Sequence, residues 1–99
     1  MSEQAPGTDA FLALAGRLQH EEERLTSVQA GLLAAAHLGI AGNSRAFSKL
    51  FGMPHAVVLR ELNALAGMDG DLVRITRRDA KSLRTFFEPG GPGRLRDGA

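Results

Sequence analysis

The residues of this 99-residue chain that could do chemistry are basic and polar rather than nucleophilic. It has no cysteine, so it offers no thiolate nucleophile, no disulfide framework and no thiolate-held zinc. Its three histidines stand far apart in the sequence. His20 has Glu23 and Arg24 three and four residues on, where an imidazole and a carboxylate could hold one edge of a metal, but no third ligand has a place beside them. His37 falls near the end of a helical stretch, where packing or the helix dipole accounts for it. His55 opens another helical stretch and is the one histidine placed to touch a ligand. Ser27, Ser44, Ser48 and Ser82 fall at caps and turns, with nothing coupling one of them to a histidine and a buried acid. The glycines of "GNSRAF" and "PGGPGR" have neither phosphate-loop spacing nor its lysine. The chain is expected not to be an enzyme and to carry no cofactor or metal.

Charge is more informative by position than in total. The net formal charge is +1. Residues 1–44 hold two arginines against five acids, whereas residues 45–84 hold eight basic residues against four acids. A basic second half is the electrostatic footprint of a nucleic-acid face, although a run of charge also serves simply to solvate a surface. No segment approaches the roughly 18 apolar residues of a membrane span. The opening "MSEQAPGTDA" is polar and acidic where a secretory leader would be basic, so a cytoplasmic location is expected.

The elements that must position these residues follow from periodicity. Residues 1–7 have no pattern and are expected to be disordered. Thr8 as N-cap, Asp9 in the first turn and the stripe Phe11, Leu12, Leu14, Ala15, Leu18, with Leu25 later on it, predict a first helix over 9–24. Thr26 or Ser27 caps a second helix marked by Val28, Leu32, Leu33, Ala36 and Leu38 and ended by Gly39 or Gly42. Asn43 and Ser44 supply a turn and cap, and Arg45 to Phe51 a short third helix with Phe47 and Phe51 in the core. Gly52 closes it in the left-handed conformation, and Pro54 suits the first turn of a fourth helix running to Ala66. In that helix Val58, Leu62 and Leu65 face the core, with Leu59 and Ala66 flanking. Ala56, Arg60, Asn63 and Ala64 show on the other side, with Val57 and His55 nearer its edges. "LVRITRR" and "LRTFFEP", joined by "DAKS", predict a hairpin with strands over 72–77 and 83–87. The Gly/Pro-rich stretch from Pro89 onward is expected to be a disordered tail, leaving a single domain over 8–88.

Helix, turn and helix over 44–67, followed by a hairpin, outline a winged helix-turn-helix: mainly α with a small β-hairpin. "LTSVQAGLL" is similar to the "LTxxQ" opening of the second helix in the MarR family of winged helix regulators. "SRAFSKLFGMP" resembles that family's short helix and turn, with Ser48 at its small-residue position and Gly52 at the turn. "LVRITRRDAKSLRTFFEP" resembles its wing, basic strands flanking an Asp-containing turn, with Asp79, Lys81 and Arg84 in the corresponding places. The resemblance covers residues 25–87.

The resemblance implies double-stranded DNA as partner, with the fourth helix in the major groove and the wing on the backbone or in the minor groove. Arg60 is then the first candidate for a base, because a guanidinium bonds two acceptors on a guanine edge. His55 and Asn63 add contacts, and Arg74, Arg77, Arg78, Lys81 and Arg84 neutralise phosphates. Two departures set up an alternative. Ala56, Val57 and Leu59 stand where the family carries Ser, Thr and Arg, and Glu61 on a flank repels phosphate. The family's dimerising C-terminal helices are replaced by the Gly/Pro tail, leaving the first helix (Phe11, Leu14, Leu18) either to pair with a second copy or to cover its own core. The alternative is a protein-interaction domain that docks a partner on Ala56, Val57 and Ala64. Phe86 and Phe87 cannot both face inward on one strand, so one of them is expected to be exposed or covered by a partner.

Overall fold

The computed structural model describes residues 6–91. The expectations for residues 1–5 and 92–99 lie outside the described residues. The described chain is mainly helical with one antiparallel hairpin: α1 (Pro6–Glu21), α2 (Ser27–Leu38), α3 (Ser44–Phe51), α4 (His55–Ala66), β1 (Val73–Arg78) and β2 (Thr85–Pro89).

The core is built around α2. Seven consecutive residues, Gln29 to Ala35, are buried, so this helix is wrapped on every side and shows no single apolar stripe. Of the residues expected to mark it, Val28 and Ala36 are only partly buried and Leu38 is exposed; small alanines let the neighbours close in on the rest. Leu62, Leu65 and Val58 of α4 are fully buried against it with Leu32, each stabilising by about 1.5–3 kcal/mol relative to exposure. Thr26 caps α2 through a reciprocal pair: its hydroxyl accepts from the Gln29 N–H, and the Gln29 side chain accepts from the Thr26 N–H. Gly39 closes the helix at φ +70°.

The first helix differs from expectation at both ends. It begins at Pro6, which leaves Thr8 inside the first turn rather than capping it, and it stops at Glu21 rather than at 24. Glu22 still donates its N–H to the Leu18 carbonyl at 2.8 Å, closing the last turn. Arg24 pairs with Glu22 at 2.6 Å, and Leu25 drops into the core from the connecting turn. Residues 6 and 7, expected to be disordered, are helical.

Asn43 caps α3 by accepting from the Ala46 N–H, and Gly52 ends it at φ +65°. Ser48, buried, donates to the Met53 carbonyl at 2.6 Å and stitches the turn. Pro54 takes the N-cap place of α4 rather than its first turn. Phe47 is buried, but Phe51 is 38% exposed and tilts between Phe47 and Phe11, 4.5 and 5.0 Å away by ring centroids. It forms the rim of the core, not its interior.

Both strands lie later than expected. Leu83 has φ +62°, a left-handed conformation that no strand residue holds, so β2 cannot start before it. At the other end Pro89 pairs with Val73, Gly90 donates to the Leu72 carbonyl, and Gly91 donates to Asp71 Oδ2. The expected tail therefore does not begin at Pro89. Gly90 lies so close to the Asp71 carbonyl that a Cβ there would clash. The free edge of β2 receives a third short segment: Phe87 donates to the Gly42 carbonyl, and Asn43 bridges Phe86. That pairing ties the α2–α3 connection to the hairpin and had no signal in the hydrophobic pattern.

Candidate functional site

Because Val58, Leu62 and Leu65 face the core, helical geometry puts Arg60 at the centre of the opposite side of α4. Ala56, Asn63 and Ala64 are exposed beside it, and Val57 is half-buried. Arg60 makes no hydrogen bond or ion pair among the described residues. Glu61 does not lie on this surface as a phosphate-repelling charge. Its Oε1 accepts from Thr26 Oγ1 and from Gln29 Nε2, both at 3.1 Å, so it faces the start of α2.

The hairpin is aimed by one extra residue. Its register runs Ile75 to Phe87 and then Arg77 to Phe86, leaving Thr76 as a bulge. Strict alternation would put Arg77 on the inner face with Val73 and Ile75, and Arg78 outside. The bulge reverses them. Arg77 lies over the outer Phe86 ring, 4.3 Å from its centroid, a cation–π contact. Arg78, opposite buried Thr85, turns toward α4 and donates from Nη1 to Asn63 Oδ1 at 3.0 Å. Between helix and hairpin lies an open groove of about 410 Å³, with Leu59, Asn63, Arg78, Leu83 and Thr85 among its walls.

The hairpin loop is held by Asp79. Its carboxylate accepts from the Lys81 N–H and from Ser82 Oγ, each at 3.0 Å, and these bonds hold its pKa below the usual carboxylate value. Lys81 is exposed at the tip. Arg74 is an ion-pair partner of Glu88 directly across the strands, so its charge is already met.

At the junction of α3, α4 and β2, fully buried Ser44 joins three elements. Its Oγ lies 2.7 Å from His55 Nε2 and accepts from the Thr85 N–H at 2.9 Å. The sequence did not foresee this serine–histidine pair. Among the described residues no carboxylate is hydrogen-bonded to the pair, and Ser44 is fully buried. Arg45 reaches from α3 to the Ser82 carbonyl at 3.3 Å. Burial, then the charges of Arg45 and Arg84, push His55 below its ordinary pKa.

The expected DNA-contacting residues therefore separate into groups. Arg60, Asn63 and Arg78 lie on the α4 side, Arg77 on the outer face of the hairpin and Lys81 at its tip; Arg74 is paired with Glu88, and His55 lies at the junction with the Arg84 charge bearing on it. Of the phenylalanines, Phe87 is buried at 4%, and Phe86 is half-buried on the outer face with Arg77 over its ring. The exposed apolar residue of the hairpin is Leu83, at 60%. Arg45 was visible beforehand only as one more charge. Among the described residues no cluster of three metal-ligating side chains occurs, and no helix is long and apolar enough to cross a membrane. Comparisons with family models, curated proteins and solved structures give no match.

Proposed function

We propose that this chain is a winged helix domain that binds double-stranded DNA as a small regulator resembling the MarR family, with α4 in the major groove and the hairpin as a wing along the backbone. The observation that carries this reading is the bulge at Thr76. It swings Arg78 onto Asn63, so that Arg78 joins Arg60 on the α4 side, while Arg77 on the outer face of the hairpin and Lys81 at its tip supply further charge for the backbone. Arg60 is the base-contacting residue. Asn63 keeps its amide N–H groups for a base while its oxygen holds Arg78. With so few polar groups on α4, binding is dominated by phosphates and is weakly sequence-selective.

Fluorescence anisotropy against mixed-sequence duplex DNA across salt tests this. Binding is expected with Kd of about 1–100 μM at physiological salt, weakening steeply as salt rises. Arg77→Ala/Arg78→Ala should lower the slope of log K against log salt by about 2, since each phosphate contact contributes about 0.9. Absence of binding at low salt by folded protein would sink the reading.

The groove supports a second reading. Leu59 and the exposed Leu83 line it, which is what a docking site for a protein segment offers. Under that reading Leu83, Ala56 and Ala64 form the contact surface, and no DNA binds. A homodimer through α1 has Leu12, 63% exposed, as its available contact, because Phe11 is stacked on Phe51; sedimentation of Leu12→Ser against the parent measures it.

A further inference from the structure

The polar side chains of α4 are His55, Arg60, Glu61 and Asn63. Two of them are used inside the fold. His55 meets the Ser44 hydroxyl through Nε2, and Glu61 accepts from Thr26 and Gln29 at the start of α2. Arg60 and Asn63 are exposed and one helical turn apart, so they share a face. Arg60 has only donors. Asn63 has one acceptor oxygen, and that oxygen takes the Arg78 Nη1–H from the hairpin at 3.0 Å. A guanidinium has no acceptor, so the amide must turn its oxygen and not its nitrogen to Arg78. Both side chains line the open groove between α4 and the hairpin, so the pair borders one opening. Asp79 on the same wall is engaged within its own loop, by the Lys81 N–H and Ser82 Oγ.

We infer that Arg78 sets the base specificity of Asn63: by holding the amide oxygen it turns an adenine reader into a donor-only pair that selects guanine edges in the major groove. The inference rests on the DNA-binding reading and names the class of duplex that the α4 surface takes. An asparagine with a free amide bonds adenine twice, accepting from N6–H and donating to N7. With Arg78 against the oxygen the first of these bonds is lost. The second lone pair of the oxygen does not restore it, because an incoming amino group brings its positive hydrogens against the guanidinium. Cytosine shows an amino donor at N4 and is disfavoured for the same reason. Guanine shows two acceptors side by side, N7 and O6, whereas thymine shows only O4 beside a methyl. Arg60, one turn away, prefers the same two acceptors, so both exposed polar positions of α4 favour guanine.

The test uses one mixed-sequence duplex in three forms: unmodified, with 7-deazaguanine for every guanine, and with 7-deazaadenine for every adenine. Each replacement removes an N7 acceptor and keeps the base pair. Affinities of the full chain are compared as ratios between duplexes, so a general loss of charge cancels. The parent should weaken by about three- to tenfold on the 7-deazaguanine duplex and by less than about twofold on the 7-deazaadenine duplex. In Arg78→Ala the freed amide should regain adenine, so that the 7-deazaadenine duplex binds about three- to tenfold more weakly than the unmodified one. That new dependence should vanish in Asn63→Ala/Arg78→Ala. Both residues are exposed, so these chains should unfold in urea as the parent does. A parent already sensitive to adenine N7, an Arg78→Ala chain that never becomes so, or a dependence that survives the loss of Asn63 overturns the role of Arg78 and leaves the DNA reading standing. Equal affinity of the parent for all three duplexes also overturns it, and leaves binding through phosphates alone. Absence of binding to any of them by folded protein fails the DNA reading itself, and the inference with it.

Discussion

Two flanks of the same helix are built to opposite standards. On one side of α4, Glu61 receives two hydrogen bonds from Thr26 and Gln29, which also cap each other. Both bonds end on Glu61 Oε1, and the cluster joins the start of α2 to the middle of α4 beside buried Leu25 and Leu62. Two residues further on, Asn63 takes a single bond from Arg78 at an exposed surface, and beside it lie Arg60, with no hydrogen bond among the described residues, and an exposed Leu83. The first flank needs nothing more to be stable. The second leaves positive charge and apolar surface exposed to solvent.

The comparison can be broken outright from the shared core. Leu62→Ala removes a fully buried side chain from beneath both flanks and should cost about 2–5 kcal/mol, read from urea unfolding. Thr26→Ala should cost about 1 kcal/mol, because it removes the cap of α2 and a donor to Glu61, yet leave DNA affinity unchanged in anisotropy. Arg78→Ala should do the reverse, with unfolding unaltered and the salt slope lower by about 1. A loss of stability in Arg78→Ala comparable to that of Thr26→Ala would erase the distinction. Leu83→Gly should stabilise by up to about 1 kcal/mol, since the left-handed backbone strain at φ +62° is relieved while little buried surface is lost.

The smallest effect is a pH dependence. His55 titrates below its ordinary 6.5 in the folded chain, so between the two values the unfolded chain binds more protons. Stability from this group is complete above about pH 6.5 and falls as the pH drops through the folded value. Urea midpoints at pH 7.5 and 5.5 should differ more in the parent than in His55→Gln. An equal difference would show that His55 carries none of it.

Much of the helical frame was legible beforehand, because its signals are local. Asn43, Gly39, Gly52 and the Thr26–Gln29 pair each do their work within four residues, and the buried spacing of Val58, Leu62 and Leu65 is a property of one helix. The errors lay where neighbours far apart in sequence decide. Leu25 continues the stripe of α1 by spacing, but the core draws it in from a turn. Phe51 has the spacing of a core residue and the position of a rim. For the site, the sequence identified Arg60, Asn63 and the hairpin bases as exposed and basic, yet could not say which of them meet.

By itself the chain's sequence determined the bounds of α3 and α4 to within a residue, though not those of α1, which face of α4 is buried and that the second half is basic, since caps, turn residues and apolar periodicity act over one or two turns. Tertiary structure alone decided that Thr76 bulges, that Arg78 rather than Arg77 reaches Asn63, that Glu61 turns to α2, and that Ser44 joins His55 to Thr85. The helix contacts depend on the approach of elements 11 to 41 residues apart, and those of the hairpin on strand register, where a one-residue slip sends every following side chain to the opposite face.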